Sequence, residues 1–477
     1  MNKLFIFFYI IVFSFSNIWA MENPFLKKYN TEFEIPPFSK IDESDFMPAF
    51  IMGIEAHNRE IDSIIENSEN PSFENVIIEL ERSGSLLDRV GAVFFNLSGS
   101  TSNEEIQNIE KDISPILSQH YDSISLNPKI FKKIKYLWDS IDSLNLSIEE
   151  RKILEEKYKN FIRNGALLEG DDKEKYSSIN QEISKLSVEF SQNLLAETNN
   201  FEIILNENDL DGLPDDIIAL AKEEAYKKYK ETKDSTYKDK YIFTPHRSSL
   251  YPFLTYSKRR DLRERLYKGY IMRGDNNNEF DNKEITAKIS SLRVERANLL
   301  NFETHAHYVL DNTMAKTPEA VYGLLDQLWQ PALSRASKEL EELQSLVNKE
   351  GGNFKIASWD WWYYSEKLRK EKYDLNDEEL KEFFTLDNTI DGIFKTANKL
   401  FGLSFIERFD IELYHEDARV WEVKDRDGSH LGIYIGDFYT RASKRGGAWM
   451  STFKDQSNFN GRERPIVVNV CNFPPPS

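Results

Sequence analysis

HLGIYIGDFYTRASKRGGAWMSTFKDQSNFNGRERPIVVNVCNF, residues 430–473, is the stretch that decides the fold. Apolar residues alternate with polar ones through Leu431, Ile433 and Ile435, the pattern breaks at Gly446 and Gly447, and an apolar run follows at residues 466–468. A period of two residues is typical of strands, so this stretch predicts paired strands. It predicts a small antiparallel β-sheet near the C-terminus.

Upstream of this stretch the apolar residues recur mostly at helical spacing. The clearest example is KYSSINQEISKLSVEFSQNLL, residues 175–195, in which apolar residues lie three or four positions apart and form one stripe. A turn-rich break follows at residues 201–213, and Tyr241–Phe243 reads as a short strand that ends before Pro245. The fold class is therefore mainly α, with long helices and a small terminal sheet.

The predicted sheet contains a candidate recognition segment. Gly446, Gly447 and Ala448 have almost no side chain, so another backbone can approach them closely. An exposed strand edge can also pair with an extended peptide. A bland alternative fits the same residues equally well, namely a β-bulge or hairpin turn in which Trp449 anchors the core. Both interpretations stay open on the residues alone.

Composition and charge limit the classes of partner that this protein is expected to bind. The 477 residues contain 61 Lys and Arg against 80 Asp and Glu, a net charge of −19. Nucleic acid and anionic membranes attract basic surfaces, so neither is expected as a partner. No repeat, low-complexity tract or long linker separates independent domains. We divide the chain into three parts. Residues 1–20 come first, residues 21–240 form an N-terminal helical region, and residues 241–477 contain the predicted sheet.

Residues 1–20 have the features of a secretory signal peptide. Lys3 precedes an uncharged run from Leu4 to Phe15, which is short for a membrane span, and a possible cleavage site follows at Ala20. The alternative is an uncleaved anchor helix. With cleavage, we expect an exported protein, periplasmic or extracellular, with no stable membrane span. Cys471 is the only cysteine, so no intramolecular disulfide can form, and it is expected to be a buried small hydrophobe.

Four ordered motifs carry a resemblance to a known family. They are SLRVERANLLNFETHAHYVLDNTMAKTPEAV from Ser291, WDWWYYSEKLRKEKYDL from Trp359, FKTANKLFGLSF from Phe394, and GDFYTRASKRGGAWM followed by RPIVVNVCNF. Together they resemble the thimet oligopeptidase and neurolysin family, most closely its bacterial peptidyl-dipeptidases. The resemblance implies a zinc metallopeptidase with a two-lobed helical body around a channel, acting on short unstructured peptides. It also implies that residues 446–449 border that channel, which favours the recognition interpretation.

The chain departs from this family at its zinc site. By resemblance, relatives follow the NVCNF segment with a helix that carries HExxH, and no HExxH occurs in these 477 residues. Two histidines at i and i+4 on a helix share a face and can chelate zinc. The seven histidines are His57, His120, His246, His305, His307, His415 and His430, and no two have that spacing. No GxSxG motif or phosphate-binding glycine loop is present. We therefore assign no catalytic and no metal-binding residue in this chain.

Three hypotheses follow. The first is a fragment of a zinc oligopeptidase or peptidyl-dipeptidase that lacks the zinc site, has a missing C-terminal half, and is inactive alone. The second is a non-catalytic peptide-binding protein, and the third is one half of a split enzyme. The aromatic residues 359–364 could line a peptide site, although such density more often indicates core.

Overall fold

The computed structural model describes residues 23–373, 380–459 and 461–475. The predicted signal peptide, residues 1–20, and the C-terminal Ser477 lie outside the described residues. Within them, the chain is mainly helical, with a two-stranded sheet and a larger C-terminal sheet, so the predicted fold class is confirmed. None of the described helices is long and apolar enough to cross a bilayer.

Between residues 23 and 200, the structure has seven α-helices. They are α1 (Glu43–Glu66), α2 (Glu79–Arg82), α3 (Ser85–Ser100), α4 (Glu104–Ser125), α5 (Pro128–Asp139), α6 (Ile148–Arg163) and α7 (Asp171–Asn200), with a π-helical turn at Phe73–Ile78 before α2. Side-chain caps mark several starts: Asn103 accepts from the amide of Ile106, and Ser147 from the amide of Glu150. The predicted stripe of α7 is a packed face, because Ile179 and Leu186 share a cluster with Ile289 of a later helix.

A small antiparallel sheet follows α7. Strand β1 (Ile203–Leu205) pairs with β2 (Tyr241–Phe243), and α8 (Asp215–Thr232) connects them. The strand predicted at Tyr241–Phe243 is therefore confirmed, and the turn-rich break contains its partner.

The remaining helices lead to the terminal sheet. They are α9 (Arg247–Tyr256), α10 (Arg260–Ile271), α11 (Lys283–Leu299), α12 (His305–Leu310), α13 (Pro318–Lys349), α14 (Trp361–Tyr373) and α15 (Leu386–Phe401). Helix α15 ends at Gly402, whose φ of 79° is in the left-handed region that favours glycine.

The C-terminal sheet has five strands. They are β3 (Ser404–Glu407), β4 (Arg419–Lys424), β5 (His430–Tyr439), β6 (Trp449–Lys454) and β7 (Ile466–Phe473), in the spatial order β3-β4-β5-β7-β6. Three pairings are antiparallel as predicted, but β5 and β7 are parallel, so the sheet is mixed. The chain reverses direction into β6 and again into β7, and β7 inserts between β5 and β6. As a result β7 runs in the direction of β5, and β6 becomes the edge.

The sheet packs on helices from the start of the chain. Phe46 of α1 and Phe94 of α3 share one buried cluster with Ile435 of β5 and Val468 of β7. Trp449 of β6 is half-buried against the same cluster. The edge strand is therefore held beside α3, and this contact positions the candidate site.

Candidate functional site

The segment between β5 and β6 is organised by a buried ion cluster. Asp437 is fully buried and accepts hydrogen bonds from Arg441 Nη1 at 2.8 Å and Lys444 Nζ at 2.7 Å. Burial alone raises the pKa of Asp437, but the hydrogen bonds and charges of Arg441 and Lys444 outweigh it and hold this pKa below its usual value. Tyr414 Oη also donates to Asp437 Oδ2, at 3.0 Å. The carboxylate thus stays ionised inside the protein.

Lys444 ties the segment to β5 and β7. Its buried ammonium group donates to the carbonyl oxygens of Tyr439 at 2.6 Å and Cys471 at 3.1 Å, besides Asp437. Burial lowers the pKa of Lys444, although Asp437 acts in the opposite direction. Cys471 itself is buried, as predicted.

Further hydrogen bonds attach the segment to its neighbours. On the α3 side, the amide of Arg445 donates to the carbonyl of Gly99 at 2.9 Å, and Arg441 Nε donates to the carbonyl of Ser100 at 2.9 Å. On the β7 side, Asn472 Nδ2 donates to the carbonyls of Arg445 at 3.0 Å and Gly447 at 2.7 Å. A segment without regular structure is therefore held at both ends.

The four predicted recognition residues lie at the end of this held segment. Gly446 and Ala448 are exposed, while Gly447 and Trp449 are half-buried. A Cβ atom on Gly446 or Gly447 meets no heavy atom within 4 Å, so both glycines face open space. Gly447 has φ 111°, which favours glycine, and Trp449 packs on the core. Features of both sequence interpretations are present: a core-anchored turn and an open backbone.

Strand β6 leaves one edge of the sheet without a strand partner among the described residues. The carbonyl of Thr452 accepts from Asn96 Nδ2 of α3 at 3.0 Å, so it points away from β7. In an antiparallel strand the N–H and C=O of one residue point the same way and alternate residues point oppositely. The N–H and C=O of Met450 therefore also point to the free edge, and the Met450 side chain is exposed.

A cleft runs between β6 and α3. Its volume is about 1060 Å³, and five aromatic residues line it: Tyr29, Phe50, Phe95, Tyr121 and Phe453. The rings of Phe95 and Tyr121 are the exposed ones. Charged side chains of both signs surround it: Lys28, Glu34, Asp88, Arg89, Lys454, Asp455 and Glu463. Burial raises the pKa of Asp88, and the nearby carboxylate of Asp455 raises it further. Mixed charge and exposed aromatic rings suit a polar chain with apolar side chains, such as a peptide.

The histidines are dispersed. His57 and His120 form a buried pair, with Nδ1 and Nε2 3.0 Å apart. The segment of His305 and His307 is helix α12, capped by Thr304, whose hydroxyl accepts from the amide of His307. Residues two apart on a helix face different directions.

His415 lies in a turn before β4, where its Nδ1 accepts from the amide of Asp417 at 3.2 Å. Across residues 23–373, 380–459 and 461–475, no three His, Cys, Asp or Glu side chains converge to hold a metal ion. The described residues therefore do not fit a zinc site of the kind the resemblance implies.

The aromatic residues 359–364 belong to the helical body. Tyr364 is buried, and Trp362 packs against Tyr251 and Tyr267 with ring centroids 5.6 and 6.1 Å apart. None of the five aromatic residues lines the cleft at β6.

The fold and the site define a mainly helical protein whose terminal sheet presents a free edge beside a cleft. Residues 253–477 match the model of peptidase family M3. The chain is 36% identical over 457 residues to dipeptidyl carboxypeptidase of Escherichia coli (strain K12), a match that covers 95% of this chain and 66% of that relative. It is 30% identical over 464 residues to oligopeptidase A of Haemophilus influenzae, covering 96% and 66%. The chain belongs to peptidase family M3, and it spans 66% of the length of these two relatives.

Proposed function

We propose that this chain is the peptide-binding part of a zinc metallopeptidase of the oligopeptidase or peptidyl-dipeptidase type, which hydrolyses short unstructured peptides. The edge of β6 carries this proposal: it has no strand partner among the described residues, although Asn96 of α3 already donates to the Thr452 carbonyl. An extended peptide gains affinity by adding main-chain hydrogen bonds to such an edge, and pockets for alternate side chains give specificity. The cleft beside α3 supplies room for those side chains, and the relatives are named as peptidases.

The segment that contains Gly446 and Gly447 lowers the entropic cost of peptide binding, because it is ordered before the peptide arrives. Ordering a flexible segment on binding costs conformational entropy. Residues 440–448 are already tied to α3 and β7 by the bonds around Asp437, Lys444 and Asn472. A peptide that approaches Gly446 and Gly447 therefore meets a backbone that is ordered beforehand and open to close contact.

A non-catalytic peptide-binding protein is the second candidate. The observation that favours it is the lack of a metal-holding group in the part of the chain that the structure describes. Both candidates, and one half of a split enzyme, share the same peptide site. They differ in whether the remaining third of an M3 peptidase acts together with this chain.

The test of the shared site is a substitution that fills the open space. We expect Gly446→Val to weaken binding of a blocked, unstructured peptide about tenfold, roughly 1.4 kcal/mol, because the new side chain separates the two backbones. Gly446 does not have a left-handed φ and its Cβ meets nothing, so the fold tolerates the change. Isothermal titration calorimetry measures the affinity.

The matched control is Gly392→Ala on α15, where an added Cβ also meets no atom within 4 Å. Its peptide affinity should equal that of the unaltered protein. Equal affinity of the Gly446→Val variant, with an unchanged Tm, would contradict the proposed site.

A further inference from the structure

The side chain of Asn96 connects α3 to the edge of β6. Its Nδ2 group donates to the carbonyl of Thr452 at 3.0 Å and to the carbonyl of Ala92, one helical turn earlier, at 2.7 Å. A side-chain amide nitrogen has two N–H donors, so these two bonds use both of them. Asn96 is only 9% exposed. The amide is therefore held in one position and has no donor left for a ligand. We call this contact the Asn96 bridge.

The Asn96 bridge occupies a position that a paired peptide needs. Residues of an edge strand that point to the same side are two apart, and here they are Met450 and Thr452. A peptide N–H that bonds to the Thr452 carbonyl has to place its nitrogen about 3 Å from the oxygen, which is the distance at which Asn96 Nδ2 already lies. An extended peptide can therefore pair with Met450, but at Thr452 it meets the side chain of Asn96.

The bridge also separates Met450 from the cleft beside α3. Within α3 and β6, the residues that line the cleft fall in the ranges 85–96 and 451–454, so Asn96 and Thr452 lie at its end nearest Met450. A main chain that continued along the edge into the cleft would have to displace Asn96. Displacement would leave the amide and the Thr452 carbonyl without partners, and a buried polar group without a partner costs free energy. The bridge therefore opposes such a path.

We propose that Asn96 is a specificity-determining residue that ends the peptide-binding edge at Thr452. On that side, a bound peptide then extends about one residue past the residue opposite Met450, because the next pairing position is two residues further along. On the other side, Gly446 and Gly447 face open space, so the peptide can continue there. The ligand class is a peptide that is short at one end. The inference rests on the proposed function, because it concerns the same edge.

The experiment is isothermal titration calorimetry with two series of acetylated and amidated peptides that share one core sequence. One series is lengthened with alanine at the N-terminal end and the other at the C-terminal end. In the unaltered protein, we expect the affinity to stop rising in one series at least two residues earlier than in the other. In the Asn96→Ala variant, longer members of that series should bind about fivefold more tightly than before, which is the effect of one additional neutral hydrogen bond. If Asn96 only supported the fold, its loss would weaken the binding of every peptide.

The matched control is Thr101→Ala at the end of α3, which removes a side-chain bond to the carbonyl of Leu97, at 3.3 Å, and leaves the Asn96 bridge intact. Both series should bind this variant as they bind the unaltered protein. If Asn96→Ala does not fold, Asn96→Ser takes its place, because a helical serine can bond to the carbonyl four residues earlier, as Ser187 does with Ile183.

Two results would overturn the proposal: affinities that rise equally in both series with the unaltered protein, or no gain for the longer peptides in the variant that lacks the bridge. In either case, binding of the core peptide would leave the proposed function standing. Absence of binding by every peptide to the unaltered protein would instead contradict the proposed function, and this inference with it.

Discussion

Lys444 is a fully buried ammonium group in a protein that is otherwise rich in exposed charge. Transferring an isolated ion from water to the interior costs several kcal/mol unless a counter-ion and hydrogen-bond acceptors compensate it. Asp437 supplies the counter-ion, and the carbonyls of Tyr439 and Cys471 supply acceptors. The arrangement stabilises a conformation of residues 440–448 that has no helix or strand to maintain it.

Removing the counter-ion should therefore destabilise the folded protein strongly. We predict that Asp437→Ala lowers the free energy of unfolding by about 3–5 kcal/mol, because it leaves the buried charge of Lys444 uncompensated. Urea unfolding followed by circular dichroism measures the change. The control is Asp410→Ala, since Asp410 pairs with Arg408 at the surface, at 2.7 Å. Comparable losses in the two variants would refute a special role for the buried cluster.

The paired imidazoles of His57 and His120 should make the stability of the folded protein depend on pH. Burial, followed by the neighbouring His57, lowers the pKa of His120 from 6.5 to about 4, and burial also lowers the pKa of His57. A histidine whose pKa is lower in the folded state contributes stability above the unfolded pKa, and this stability is lost as the pH falls through the folded pKa. We predict that the Tm decreases from about pH 6.5 to about pH 4.

The variant His120→Gln tests this assignment, because an amide can donate to His57 Nδ1 but does not titrate. Its Tm should fall less over the same pH range in scanning calorimetry. Asp122 titrates with the opposite sign: burial raises its pKa from 3.8 to about 6, so its contribution is present at low pH and lost as the pH rises. Asp122 is present in the unaltered protein and in the His120→Gln variant. Subtracting one Tm from the other at each pH therefore cancels the contribution of Asp122. Identical pH profiles would exclude the histidine pair as the cause.

At the scale of the elements, replacing a helical glycine by alanine should stabilise the helix where the added Cβ meets no other atom. We predict that Gly323→Ala, on the polar side of α13, raises the free energy of unfolding by up to about 1 kcal/mol, because alanine has the higher helix propensity. An added Cβ there meets nothing within 4 Å. Hydrogen exchange of α13 and urea unfolding measure the effect.

Gly402→Ala is the contrasting substitution. Gly402 ends α15 with φ 79°, and an added Cβ lies 2.7 Å from Arg426 Nε, so alanine there should destabilise the protein. If Gly323→Ala and Gly402→Ala both raised the free energy of unfolding, the left-handed φ and the close contact at Gly402 would not determine the effect of the substitution.

The elements themselves were largely readable from periodicity, and their assembly was not. The alternation around Ile433 and Ile435 predicted β5, and the stripe of α7 predicted a packed helix, because side-chain direction depends only on local period. The parallel pairing of β5 with β7 depends on which strand inserts next to which, and no local pattern carries that information.

At the candidate site, the sequence predicted an open backbone at residues 446–447, while the recognition role of residues 446–449 stays a prediction. Gly446 and Gly447 were recognisable because glycine signals an open or strained backbone. The bonds that hold their segment come from Asp437, Lys444 and Asn472, which the sequence pattern does not single out. The buried pair of His57 and His120 joins residues 63 positions apart. Such contacts follow from tertiary packing, which spacing alone does not show.

At the scale of the whole molecule, the proposed peptide site can be tested apart from peptide hydrolysis. The edge of β6 and the cleft beside α3 lie within the described residues. A zinc-water site needs three protein ligands that converge on one ion, usually two histidines one helical turn apart and a carboxylate. No two of the seven histidines in the 477 residues have that spacing.

We therefore predict that a polypeptide of these 477 residues binds a blocked peptide but neither retains stoichiometric zinc nor hydrolyses the peptide. Metal content after dialysis, measured by plasma mass spectrometry, and release of peptide fragments, measured by liquid chromatography, check the two statements separately. The unaltered Escherichia coli dipeptidyl carboxypeptidase is the positive control. One equivalent of zinc together with turnover would show that the chain assembles a metal site from residues that neither motif nor fold identifies. Hydrolysis that appears only when the part of an M3 peptidase that this chain does not match is added would support complementary roles of the two parts.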